Sequence, residues 1–210
     1  MTETVRVLLA SRNAKKLVEL RRILDAALGA HAVELVGLGD VASYPEAPET
    51  GLTFAENALA KAREGVTHTG LPTVADDSGL TVDALNGMPG VFSARWAGRH
   101  GDDAANLDLV LRQIADLPDE HRGAAFVCAA ALVLPDGREF VVEGRVDGTL
   151  TREPRGENGF GYDPIFVPEG EQRTSAEMSA EEKDAISHRG KAFRELAMVI
   201  ARELLPSAAQ

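Results

Sequence analysis

A change of hydrophobic period near the N-terminus constrains this chain more than any other feature. Val5 to Ala10 is a short apolar run with β-branched character, the pattern of a buried strand. Ser11-Arg12-Asn13 breaks it. Leu17, Leu20, Leu24 and Ala27 then recur at helical spacing until Gly29 stops them. Val33 to Leu38 reads as a second strand, and residues 39–51, with Pro45, Pro48 and Gly51, as a loop. Thr53-Phe54-Ala55-Glu56 has the form of a capping box and predicts a helix to about Thr67. Thr73 to Ala75 predicts a short strand ending in Asp76-Asp77-Ser78-Gly79, with residues 80–84 as an extended continuation. This strand–helix–strand–helix–strand order predicts an α/β protein with a mixed sheet.

The second half keeps to that class. Asn86-Gly87 and Pro89-Gly90 punctuate turns, and Leu107, Val110, Leu111 and Ile114 mark an amphipathic helix. Ala124 to Leu134 and Glu139 to Val146 flank Pro135-Asp136-Gly137, which predicts a β-hairpin. Glycine-rich turns follow around Gly156 to Gly161. Ser179-Ala180-Glu181-Glu182 is a second capping box. Ser187 is placed to cap a last helix whose apolar face is Phe193, Leu196, Ala197, Ile200 and Leu204. The 210 residues suit one large domain or two lobes sharing a core.

Composition narrows the partners. No apolar run reaches the roughly 18 residues of a membrane span. Met1 to Arg6 lacks the basic start and long apolar run of a signal peptide. The one cysteine, Cys128, lies in an apolar run and reads as a core thiol, so a cytoplasmic protein is expected. The net charge of −11 disfavours broad binding to polymeric nucleic acid. An anionic small molecule fits if the cations gather in one place. His31, His68, His100 and His121 show no metal-ligand spacing, which argues against a zinc site.

Four segments carry chemistry. Ser11-Arg12-Asn13-Ala14-Lys15-Lys16 joins the first strand to the first helix, where backbone N–H groups and the helix dipole favour an anion. It lacks the glycines of a Walker loop, and a solvated helix start would look similar. Yet Arg12, Lys15 and Lys16 oppose the dipole unless an anion balances them. Asp76 and Asp77 end an apolar strand, the usual place for a ligand in an open α/β sheet. Adjacent strand residues point to opposite faces, so one aspartate, Asp77, is taken as the direct metal ligand, and the other as fixing the turn. Glu46 and Glu49, in the proline-rich loop, are further carboxylates, and an Asx-type turn is the plain alternative for Asp-Asp-Ser-Gly. Asn158-Gly159-Phe160-Gly161-Tyr162-Asp163-Pro164 sets two aromatics among glycines: a stacking platform, or a tight turn with both rings tucked into the core. Lys183 and Ser187-His188-Arg189 surround the start of the last helix, and Arg189 is a fixed donor suited to a carbonyl or phosphate oxygen.

Together and in order these segments resemble the noncanonical purine NTP pyrophosphatase family, also called inosine triphosphate or dITP/XTP pyrophosphatases. The matching strings are S-R-N-A-K-K at 11–16, E-T-G-L-T-F-A-E-N-A at 49–58, A-D-D-S-G-L at 75–80, P-G-V-F-S-A-R at 89–95, G-F-G-Y-D-P at 159–164 and E-K-D-A-I-S-H-R-G at 182–190. Ser11 stands where the family often has threonine, and Asn158 where a second glycine is usual. The resemblance implies an elongated mixed sheet flanked by helices, two lobes with a central cleft, and a homodimer. It implies that Ser11, Arg12, Asn13, Ala14, Lys15 and Lys16 hold the triphosphate, and that Glu49 and Asp77 hold Mg²⁺, with Mn²⁺ accepting the same ligands. Asp77 becomes the catalytic carboxylate that orients or deprotonates water. Ser78, Phe160, Gly161, Tyr162, Asp163, Lys183, His188 and Arg189 contact the substrate, the last seven around base and sugar.

Water is then expected to attack the α-phosphorus and expel pyrophosphate, with Mg²⁺ and Lys16 neutralising charge. A donor such as Arg189 would favour the C6 carbonyl of hypoxanthine and xanthine over the C6 amine of adenine. Guanine would have to be rejected at its 2-amino group. A pyrophosphatase for modified pyrimidines would share the phosphate loop and differ in the F-G-Y-D and S-H-R segments. A non-catalytic nucleotide sensor would not need the paired acids, and an RNA-binding module is disfavoured by the acidic balance.

Overall fold

Val7, Leu8 and Leu9 are fully buried in succession, which requires cover on both faces of their strand. β1 (Val5–Leu9) accordingly lies between two parallel neighbours, β2 (Val33–Gly37) and β3 (Thr73–Val82). The crossovers are α1 (Ala14–Leu28) and α2 (Phe54–Thr69). Further on come α3 (Asp103–Gln113), the strands β4 (Gly123–Val133), β5 (Glu139–Leu150) and β6 (Phe166–Pro168), and the helices α4 (Ala180–Ile186) and α5 (His188–Leu204). The computed structural model describes residues 4–30, 32–45 and 48–205, without the side chains of residues 14 and 15. Among the described residues one six-stranded sheet runs in the order β2-β1-β3-β4-β5-β6, with β6 antiparallel to β5. The mixed α/β class is therefore as expected.

The chain divides into two compact units. The first holds Met1–Asp77, Ala129–Glu143 and Gly190–Gln210, and the second holds Ser78–Cys128 and Gly144–Arg189. In the first, Ala58 and Ala62 of α2 pack on Ala75, Ala131 and Val133 of the sheet. Phe193, Leu196, Ala197 and Ile200 of α5 are fully buried, the face its spacing predicts, with Leu204 half-buried. In the second, Leu107, Val110 and Ile114, on α3 and just past its end, pack with Leu80, Val146, Ile165 and Phe166. No described helix is long and apolar enough to cross a membrane.

Local signals set the helix ends. Thr53 Oγ accepts from Glu56 N at 3.1 Å while Glu56 Oε2 accepts from Thr53 N at 3.1 Å, closing the predicted box on α2. Ser179 and Glu182 do the same for α4. Past α1, Gly29 adopts φ +91° and its N–H reaches Asp25 O at 3.1 Å. On α1 the buried stripe stops at Leu24, and Ala27 is exposed. β5 runs on to Leu150, past the expected Val146, because Gly148 to Leu150 pair with β6.

The main correction concerns β3. Thr73 to Ala75 is not a short strand closed by a turn; the strand passes through Asp76-Asp77-Ser78-Gly79 without interruption. Asp and Ser favour turns by bonding nearby backbone, and Gly by its freedom of φ. Here each has a distant partner that outweighs that preference.

Candidate active site

Alternation along β3 separates the two aspartates. Asp76, 3% exposed, points toward α1, where Lys16 Nζ donates to both its oxygens at 2.9 and 2.8 Å. The cation that opposes the dipole of α1 is thus balanced from within the protein. Asp77 meets α2 instead. Asn57 Nδ2 donates to Asp77 Oδ2 at 2.9 Å, and Lys61 Nζ lies 3.4 Å from Asp77 Oδ1 and 2.5 Å from Glu49 Oε1. Asn57 and Lys61 are four residues apart, so one face of α2 presents both.

The string E-T-G-L-T-F-A-E-N is a device for delivering Glu49 to this point. Gly51 N donates to Asn57 Oδ1 at 2.8 Å. A Cβ at Gly51 would lie 2.7 Å from that oxygen, so the approach needs glycine. Asn57 therefore bonds the loop with its carbonyl and Asp77 with its amide. Glu46 lies outside the described residues.

Burial pushes the Asp77 carboxyl above its ordinary value; the Lys61 charge and the Asn57 hydrogen bond oppose this, and the Glu49 charge adds to it. For Lys61, burial acts to lower the ammonium, but the Asp77 charge and the hydrogen bond and charge of Glu49 outweigh it and raise it. Two hard carboxylates sharing one cation form a donor set that suits Mg²⁺, which commonly takes one or two carboxylates beside phosphate and water.

Ser11 to Lys16 turn the chain from β1 into α1. Asn13 N donates to Ser11 Oγ at 3.2 Å, and Asn13 O accepts from Leu17 N at 3.4 Å. Arg12 and Asn13 are exposed. Ala14 and Lys15 open α1, and their side chains lie outside the described part.

The second unit groups the other expected residues. Arg189 Nη2 donates to Ser78 Oγ at 3.2 Å. Asp163, buried, accepts from Phe160 N at 2.9 Å and from Lys183 Nζ at 2.5 Å. The Lys183 ammonium also stands 5.1 Å from the centre of the Phe160 ring, a cation–π contact. A Cβ at Gly159, whose φ is +78°, would meet Asp163 Oδ2, so that hairpin of chain needs glycine. Asn158 holds the same loop by donating from Nδ2 to Met178 O at 2.9 Å, a bond that a glycine could not make. His188 stacks on Phe126 with centroids 5.0 Å apart.

The two aromatics of the loop part company. Phe160 is 56% exposed, whereas Tyr162 is 5% exposed and donates from its hydroxyl to Ser93 O at 2.8 Å. Ser93 belongs to P-G-V-F-S-A-R. Its Oγ accepts from Leu80 N at 2.9 Å and donates to Gly90 O at 2.7 Å, and a Cβ at Gly79 would collide with it. That string thus backs β3 just after Ser78.

A model of the Ham1 family matches residues 7–199. The chain belongs to the Ham1 family. Its relatives include the dITP/XTP pyrophosphatase of Corynebacterium efficiens, 66% identical over 203 residues, covering 94% of this chain and 98% of the relative. The crystal structure of a nucleoside-triphosphatase, dITP/XTP pyrophosphatase, from Mycobacterium abscessus is 64% identical and superposes with a TM-score of 0.78 over 91% of this chain and 98% of that one. A HAM1 protein from Coxiella burnetii is 43% identical with a TM-score of 0.86 over 94% and 99%.

Sequence reasoning missed Asn57, Lys61 and Ser93. For the first two a signal existed: polar residues at i and i+4, next to the Ala58–Ala62 stripe that buries α2 on the sheet. Ser93 lies in the family string at 89–95, but no spacing marks its partners, which depend on chain packing.

Proposed function

We propose that this Ham1 chain hydrolyses noncanonical purine nucleoside triphosphates (ITP, dITP and XTP) to the monophosphate and pyrophosphate with Mg²⁺, clearing deaminated purines from the nucleotide pool. The observation that carries this reading is the Glu49–Lys61–Asp77 cluster beside the Lys16–Asp76 pair. Two ammonium groups and the N-terminus of α1 suit a polyphosphate, and the acids suit its metal. The pyrophosphatase names of relatives about 65% identical support the same reaction.

Glu49 and Asp77 would hold Mg²⁺, which supplies charge neutralisation on the phosphates and a more acidic water. Asp76 orients Lys16 toward the phosphates. The Asp77 carboxylate orients water for attack on the α-phosphorus and accepts its proton. Lys61 keeps it ionised. In the second unit Phe160 offers a ring for stacking the base, and Arg189 offers N–H donors to a C6 carbonyl. A homodimer working in the cytoplasm completes the reading; its mass in solution by light scattering tests the dimer.

The deciding experiment is product analysis with ITP, XTP, ATP and GTP, with and without Mg²⁺. Pyrophosphate released from ITP and XTP only when metal is present supports the proposal. Orthophosphate as the first product, or ATP and GTP turned over as well as ITP, overturns it.

A further inference from the structure

The motif P-G-V-F-S-A-R and the start of α3 have no part in the reaction so far, yet both grip the aromatic–glycine loop. Tyr162 is tied to Ser93 O, as described, and Gly161 N donates to Asp103 Oδ2 at 2.9 Å across 58 residues of sequence. Asp103 is not needed to cap its own helix. Asp102 is the N-cap of α3, and its carboxylate accepts from Ala105 N at 3.2 Å. Gly161, at φ +61°, lies directly between exposed Phe160 and buried Tyr162. The orientation of its peptide decides that one ring faces out while the other faces in. The Asp163–Phe160 N bond fixes the loop on one side of that peptide and the Asp103–Gly161 N bond fixes it on the other.

We propose that Asp103 is a positioning residue for base recognition: its carboxylate anchors the Gly161 amide and thereby holds the Phe160 ring out as a platform for the purine. This rests on the reading of Phe160 as the base-stacking residue. The anchor acts on base and sugar and leaves the polyphosphate contacts of the first unit alone. A charge-assisted bond at an exposed site supports an effect of about fivefold on substrate affinity.

The test is steady-state hydrolysis of ITP by the full-length chain and its Asp103→Ala and Asp103→Asn variants, with inorganic tripolyphosphate as a competitive inhibitor. For Asp103→Ala, KM rises about fivefold, kcat stays near the parent value and the inhibition constant of tripolyphosphate is unchanged. Asparagine keeps an acceptor oxygen at the same reach but not the charge, so the KM of Asp103→Asn falls between those of the parent and Asp103→Ala. An unchanged KM in Asp103→Ala, a parallel loss of tripolyphosphate affinity, or an Asp103→Asn variant as weak as alanine overturns the proposal. Amide exchange gives a second readout if alanine prevents folding: the Gly161 N–H is protected in the parent and in Asp103→Asn, and free exchange in the parent refutes the anchor. Should the parent release no pyrophosphate from ITP, the functional reading fails by itself, and the amide measurement still decides whether Asp103 holds the loop.

Discussion

Lys16, in the first turn of α1, donates to both carboxylate oxygens of Asp76, sixty positions further along the chain. The Asp76 side chain has no exposed surface and that of Lys16 only 18%. Removing Lys16 therefore takes two charge-assisted hydrogen bonds from a buried carboxylate. Lys16→Ala is expected to lower unfolding free energy by about 3 kcal/mol. The double variant Lys16→Ala/Asp76→Ala should lose less than the sum of the single changes, with a coupling of about 2 kcal/mol. Urea denaturation of the four proteins measures both; additive losses would show that the pair contributes nothing jointly.

Asp77→Asn separates chemistry from stability. It removes the proposed base and keeps the side chain's shape, so kcat should fall by about a hundredfold or more. Burial penalises the charged carboxyl, so the variant should unfold no earlier than the parent at pH 7. Near-normal turnover at saturating substrate would remove Asp77 from the mechanism.

The pH dependence follows from the same group. The folded state holds the Asp77 proton above the ordinary value of 3.8. The folded protein thus binds that proton more readily than the unfolded chain. The group's stabilising contribution is full below pH 3.8 and is lost as pH rises through the folded value. Activity runs the other way, because the base must be ionised: it falls on the acid side as Asp77 takes up its proton. Lys61→Met removes the charge that most opposes the upward push, so the acid limb of kcat/KM should move to higher pH and kcat should drop by about tenfold or more. A limb that stays in place in this variant would show that Asp77 does not set it.

Phe160 and Tyr162 should respond oppositely. Phe160→Ala removes an exposed ring, so KM for ITP should rise by about five- to a hundredfold with little change in stability. Tyr162→Phe deletes a buried donor and strands the Ser93 carbonyl, costing about 1–3 kcal/mol of stability. Thermal melts and kinetics on both variants distinguish a platform from a core residue, and equal KM effects would contradict the division.

What the sequence by itself determined is local. The capping boxes of α2 and α4 close between residues three apart, and apolar periods mark β1, α3 and α5 without knowledge of their neighbours. Strand alternation alone predicts that Asp76 and Asp77 diverge. The Asp-Asp-Ser-Gly segment shows where that kind of reading stops. Locally it favours a turn, yet Asp76 is held by Lys16, Asp77 by Asn57 and Lys61, and Ser78 by Arg189, while Gly79 makes room for Ser93. Those partners lie between 14 and 111 residues away, and only the folded chain brings them near. Side-chain bonds and packing over such separations outweigh a local backbone preference worth about a kcal/mol. Tertiary structure therefore decided that the strand continues, that Lys61 joins the acids, and that Phe160 faces water while Tyr162 does not.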